Sequence, residues 1–167
     1  MSLTLILTRH AKSSWHDPKL DDFDRPLNDR GRKSARAIGA WLAARDLVPQ
    51  EVLVSGARRT VDTWTGIATQ MPVQAPMRSE PALYHASAET IRNTLRGATA
   101  PIVLLIGHNF GIGECAGRLV AAAPDHPKFA QYPTCATTVI QFPGPTWRDV
   151  KWGEGQVLEF VVPRELS

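Results

Sequence analysis

The sequence predicts an α/β fold: a single-domain three-layer α/β/α sandwich whose central sheet is mostly parallel and gains antiparallel strands near its C-terminal end. Three observations point there. Short aliphatic and β-branched runs at 3–8, 51–55 and 101–106 read as buried strands, the last of them apolar throughout. Stretches with apolar residues at steps of three and four separate these runs, as the crossover helices of parallel βαβ units require. Beyond Pro124 the alternation stops. Two strand-like stretches, 135–142 and 156–162, then flank Pro143-Gly144-Pro145, a turn that brings the chain back antiparallel.

Taken in order, the first strand ends at Thr8-Arg9-His10-Ala11, and residues 15–26 carry turn-formers and mixed charge without an apolar period, which makes them a loop. Asn28 is placed to cap a helix with Asp29 in its first turn, and Ala35, Ile38 and Leu42 mark its buried stripe as far as Arg45. Pro49 ends that helix before the strand at 51–55. A second helix starts near Ala57, capped by Ser55 or Gly56, with Val61, Trp64, Ala68 and Met71 on its core face. Arg58 and Arg59 in its first turn either extend into solvent or help hold an anion on the free N–H groups there. Residues 71–85 form a connection with room for one short strand, 87–96 a helix, and 111–122 a small-residue helix that packs closely on the sheet. Repeats, low-complexity tracts and long linkers are absent from the sequence.

At 167 residues the chain suits one domain spanning 1–167, and 43% hydrophobic against 21% charged content is that of an ordinary globular protein. No stretch approaches the ~20 apolar residues of a membrane helix, and Met1-Ser2-Leu3 lacks a basic leader, so a cytoplasmic protein with no membrane association is expected. The net charge of +3 is spread among acidic residues rather than gathered in a stripe, which argues against a nucleic-acid partner and fits a small anionic substrate or a phosphoprotein. Cys115 and Cys135 have neither disulfide-framework nor metal-ligand spacing and are expected to be small buried hydrophobes.

Three strand ends carry chemistry: Arg9-His10, Ser55 with Arg58-Arg59, and Gly107-His108. If those strands are parallel neighbours, the ends meet at one edge of the sheet, where α/β folds collect ligands. Guanidinium forks match phosphate oxygens, and an imidazole can serve as nucleophile or donor near neutrality. Phosphoryl transfer is the natural chemistry of such a set.

The motifs resemble those of the histidine phosphatase superfamily, the group of the phosphoglycerate mutases and the compact SixA-like phosphohistidine phosphatases. Leu7-Thr8-Arg9-His10-Ala11 resembles the Arg-His-Gly signature, and Leu27-Asn28-Asp29-Arg30-Gly31-Arg32 its Leu-Thr-x-x-Gly segment. Ser55-Gly56-Ala57-Arg58-Arg59-Thr60-Val61-Asp62-Thr63 resembles Ser-Pro-x-x-Arg-Ala-x-x-Thr, and Ile106-Gly107-His108-Asn109 resembles Val-Gly-His-Asn. The short chain, the Arg-His-Ala variant and Pro133-Thr134-Cys135-Ala136 look most like the SixA-like branch.

The resemblance implies a phosphoglycerate mutase-like fold and a metal-independent hydrolase that passes the phosphoryl group through His10, with Arg9 and Arg59 gripping the phosphate and His108 donating to it. It places Ser13 and His16 near the phosphate as substrate-binding residues, and it implies no metal and no cofactor. Positive groups around His10 would keep it unprotonated for attack. The leaving-group acid is not evident: Glu80 lies in the family's region for a Glu without its motif, and Asp22 and His85 are other candidates. An imidazole leaving group would tolerate a missing acid, which suits a phosphohistidine-bearing protein as substrate.

Other readings remain beside it. A small phosphorylated molecule would make the chain a general phosphomonoesterase, and a pocket without turnover a phosphate-binding module. The run 111–117 resembles a dinucleotide loop, as in a nucleotide-binding oxidoreductase, but its glycines come too late after the strand. Neither cysteine has an Arg six positions on, so a cysteine phosphatase does not fit. Oligomeric state is not encoded in any recognisable motif.

Overall fold

A computed structural model describes residues 2–166. In chain order its main elements are β1 (Ser2–Arg9), α1 (Asp29–Ala44), β2 (Glu51–Val54), α2 (Arg58–Ala68), β3 (Met77–Ser79), α3 (Ala88–Leu95), β4 (Ile102–Gly107), α4 (Gly111–Leu119), β5 (Thr137–Pro143) and β6 (Gln156–Val161). The sheet order is β3-β2-β4-β1-β5-β6. Strands β1 to β4 pair in parallel, while β5 runs antiparallel to β1 and β6 antiparallel to β5. The expected α/β sandwich, mostly parallel with antiparallel C-terminal strands, is what the chain adopts.

Alternation along the strands divides the core into two layers. Leu5, Leu7, Leu53, Val103 and Leu105 pack with Ile91, Leu95, Ile112 and Leu119 of α3 and α4. Ile6, Val52, Val54, Leu104 and Ile106 face the other way, onto Ile38 and Leu42 of α1 and Trp64 and Ile67 of α2. A central strand buried on both faces must be apolar throughout, which is why β4 was the plainest strand in the sequence.

The connection after β1 runs through α1 towards β2, while that after β4 runs through α4 towards β5, so the two leave in opposite directions and over opposite faces. A crevice opens where adjacent parallel strands part in this way. Arg9 and Gly107 are register partners at that point, directly before His10 and His108. Two glycines hold the flanking segments close: a Cβ on Gly31 would collide with the Lys12 carbonyl, and one on Gly111 with the Ala86 carbonyl.

Several boundaries differ from expectation. The Asn28 side chain caps α1 by accepting the Gly31 N–H, as expected. The cap of α2, however, is Ala57, and Ser55 Oγ only accepts the Ala57 N–H beside it. Val61 is partly buried, and Ile67 takes the deep position on that helix. Helix α4 stops at Leu119 because Val120 turns extended to bridge Gly155. Strand β5 starts at Thr137 because Cys135 has φ 63°, outside the strand region. No helix among the described residues is long and apolar enough to cross a membrane.

Candidate active site

At the end of β1 the His10 N–H donates to the Gly107 carbonyl at 3.0 Å, tying the two strand ends together. His10 Nδ1 lies 2.7 Å from the Ala11 carbonyl. A carbonyl only accepts, so Nδ1 carries the proton and Nε2 keeps a free lone pair. Burial lowers the His10 pKa to about 4, with Arg59, Arg9 and Arg25 adding to the effect against the Ala11 hydrogen bond. Arg9 Nη1 donates to the Tyr132 carbonyl at 3.1 Å, and Arg9 Nε is buried without a protein partner.

His108, at the end of β4, is only 2% exposed. Its Nδ1 accepts from Arg59 Nη2 at 3.3 Å, because a guanidinium only donates, and Nε2–H therefore donates to Ser55 Oγ at 2.8 Å. Burial, followed by the neighbouring His10 and Arg59, lowers its pKa to about 3. The two imidazole rings lie 5.3 Å apart. Thr63 Oγ1 links the halves of the site, accepting the Ala11 N–H at 2.9 Å and donating to the Arg59 carbonyl at 2.7 Å.

Arg59 and Arg58 separate as a helix requires of adjacent residues. Arg59 is 3% exposed and turned into the crevice, while exposed Arg58 pairs with Asp62 one turn on. Arg59 Nη1 donates to the Asp22 carbonyl at 2.7 Å and Nη2 to Asp22 Oδ2 at 2.9 Å. The same carboxylate receives Tyr84 Oη–H at 2.5 Å, His85 Nε2 at 3.1 Å and Arg25 Nη1 at 2.9 Å. Burial alone would raise the Asp22 pKa, but these bonds outweigh it and hold the carboxyl far below the usual carboxylate range.

Arg25 escaped the sequence reading. Only 6% exposed, it donates to the Ser14 carbonyl and to Ser13 Oγ and lies across the Trp15 ring. Its only signal was its place in Asp24-Arg25-Pro26, where neighbouring charges looked the same. Ser13 thus enters the site through Arg25. His16 does not: its backbone N–H takes Ser14 Oγ, and its exposed ring has no hydrogen-bond partner among the described residues.

Glu80, the expected candidate acid, is engaged by a neighbouring arginine. Its carboxylate is held at 2.5 Å by Arg78, which also reaches Glu51 at the start of β2. Asp22 and His85 stand at the mouth instead. Asn109 closes the first turn of α4, accepting from Gly113 N–H and donating to the Gln131 and Tyr132 carbonyls. The glycines of 111–117 lie within α4 and the turn that opens it, which removes the resemblance to a dinucleotide loop. Both cysteines are buried and free, and burial pushes each thiol up to about 12. Among the described residues no group of three or more His, Cys, Asp or Glu is placed to hold a metal.

Residues 5–85, which contain Arg9, His10, Asp22 and Arg59, match the model of the histidine phosphatase superfamily (branch 1). The chain belongs to that superfamily. An uncharacterised chloroplastic protein of Arabidopsis thaliana is 31% identical over 89% of this chain and 71% of its own. The solved structure of a candidate phosphohistidine phosphatase SixA from Nakamurella multipartitia superposes with TM-score 0.81 at 26% identity, covering 98% of this chain and 97% of that one. Another, from Agrobacterium tumefaciens, gives 0.79 at 26% identity over 96% and 98%. Within the superfamily the chain falls in the SixA-like branch, and its activity is that of a phosphatase, a hydrolase by class.

Proposed function

We propose that the chain is a metal-independent phosphatase that carries the phosphoryl group on His10 Nε2 and acts on a phosphohistidine-bearing protein. The observation that carries the reading is the fixed tautomer of His10. Its lone pair is free at Nε2, and the ring is kept neutral by burial and by Arg59, Arg9 and Arg25. A neutral imidazole among three guanidiniums combines a nucleophile with charge for the equatorial oxygens of the transferring group.

Attack by Nε2 forms the P–N bond while the bond to the leaving group breaks, and water then returns His10 to its starting state. Arg9 and Arg59 grip the phosphate, and the buried, unpartnered Nε of Arg9 is a donor held ready for an anionic oxygen. His108 accepts Arg59 on Nδ1, which holds that guanidinium in place, and its ring stands next to His10. Exposed Trp15, Phe23 and Phe110 rim the same sheet edge, apolar surface suited to a polypeptide carrying the phosphoryl group. The titratable cluster at the mouth favours a second reading, a small phosphomonoester as substrate.

Phosphate release in EDTA from a phosphohistidine-bearing protein and from an aryl phosphate tests the proposal. The wild type is expected to turn over both, faster on the protein, and His10→Ala neither. An equally active variant would remove His10 as nucleophile. Phosphate binding without release would reduce the chain to a phosphate-binding module.

A further inference from the structure

We propose that His85, held at the pocket mouth by Asp22, donates the proton to the leaving group and takes one from the attacking water. On this basis the chain cleaves unactivated oxygen phosphoesters as well as phosphoramidates. The inference rests on the phosphatase reading above and adds the acid that reading lacks.

Geometry narrows the field. Glu80 has its carboxylate bound by Arg78. Asp22 receives four side-chain partners and stays ionised, so it has no proton to give. Tyr84 already donates its hydroxyl proton to Asp22, and burial and that carboxylate raise its pKa. His108 has both ring nitrogens engaged, by Arg59 and Ser55. His85 is the titratable group at the mouth that has a nitrogen to spare. Asp22 occupies Nε2, and Nδ1 has no hydrogen-bond partner among the described residues.

Its placing is specific. The ring lies 5.0 Å from His108 and 4.2 Å from Tyr84, with its side chain half exposed. It therefore stands between the buried phosphate site and solvent, where a leaving group departs and a water arrives. The backbone at His85 has φ 51°, a left-handed conformation unfavourable for a β-carbon-bearing residue. Asp22 and the closely packed Ala86–Gly111 contact hold the ring there.

In the first step His10 Nε2 attacks phosphorus and the P–O bond to the leaving group breaks. The bond's electron pair goes to the leaving oxygen, which takes the proton from Nδ1 of the His85 imidazolium. In the second, water oxygen attacks phosphorus and one water proton passes to His85 Nδ1. The P–N bond breaks with its electron pair returning to His10 Nε2. The sum is phosphoester plus water giving alcohol plus hydrogen phosphate, with both histidines restored.

His85→Gln tests this, because its amide N–H can reach Asp22 from near the place of the imidazole Nε2 but cannot transfer a proton. Wild type and variant are compared on p-nitrophenyl phosphate, phenyl phosphate, an alkyl phosphate and phosphoramidate. The variant is expected to lose about 10²–10⁴-fold in kcat/KM on the alkyl ester while changing less than about threefold on p-nitrophenyl phosphate, so that rate depends more steeply on leaving-group pKa. A uniform loss across the series, or no loss on the alkyl ester, overturns the assignment while leaving the phosphatase reading intact. A wild type inert towards every substrate overturns both.

Discussion

Two of the arginine clusters in this fold differ in what they surround, and one of the two is built as a site. Arg9, Arg25 and Arg59 converge at the carboxyl ends of β1 and β4 beside two buried imidazoles, with Asp22 as the carboxylate among them. Arg92 and Arg118 instead lie over the Trp152 ring at 4.2 and 4.1 Å, with Glu89 paired to Arg118 and Arg96 donating to the Val150 carbonyl. In the second cluster an aromatic face and surface partners answer the charge. In the first, the guanidiniums surround a histidine with a free lone pair; a buried Nε without a partner occurs in both, on Arg9 in the first and on Arg92 and Arg96 in the second, and so does not separate them. Cation density therefore does not mark a phosphate site; cations gathered around an uncommitted nucleophile do.

The sharpest way to break the contrast is to remove one arginine from each cluster. Arg59→Ala is expected to lower kcat/KM on an aryl phosphate by about 10²–10³-fold, the usual loss for one preorganised charge donor. Arg118→Ala should stay within about twofold of wild type, since its partners are Trp152 and Glu89. Comparable losses in the two variants would end the distinction.

Stability should show the opposite pattern. Trp152→Ala removes two cation–π contacts worth ~0.5–1 kcal/mol each, so a thermal melt should fall by about 2–8 °C with activity retained below it. Loss of activity in the folded variant would tie the second cluster to catalysis.

The pH dependence sharpens the comparison from the nucleophile's side. His10 attacks as the neutral ring, and burial with its arginines lowers its pKa to about 4 from the ordinary 6.5. The acid limb of kcat/KM on p-nitrophenyl phosphate, corrected for substrate ionisation, should therefore lie near pH 4, with no loss as pH falls through 6.5. A limb at the ordinary value would mean that the cluster does not act on His10.

The smallest effect concerns the carboxylates. Asp22 has a folded pKa below its ordinary 3.8, so the unfolded chain takes up the proton first and the stabilisation exists above that pH and fades as pH falls. Asp22→Asn should melt below the wild type at neutral pH, with the gap closing in acid. Glu89→Gln, at an exposed pair, should give a smaller gap that salt removes. A salt-sensitive gap of equal size in both would place Asp22 on an ordinary surface pair.

Local residue pattern determined much of this protein. Continuous apolar runs fixed the strands, because a strand buried on both faces has no polar positions to spare. Asn28 and Ser87 marked helix starts through side chains that satisfy N–H groups within their own turn. Arg9-His10 and Gly107-His108 were legible as strand ends because strand and pair are contiguous. Tertiary structure alone decided the mouth of the pocket. Arg25, Asp22, Tyr84 and His85 come together through bonds spanning up to 63 residues, inside segments with no periodicity to read. Glu80 and His85 are five residues apart, yet Glu80 pairs with Arg78, itself tied to Glu51, while a left-handed backbone and Asp22 hold His85 at the opening. Strands and helix caps follow from short-range periodicity and hydrogen bonding; the direction of a loop side chain follows from where the fold sets its partners.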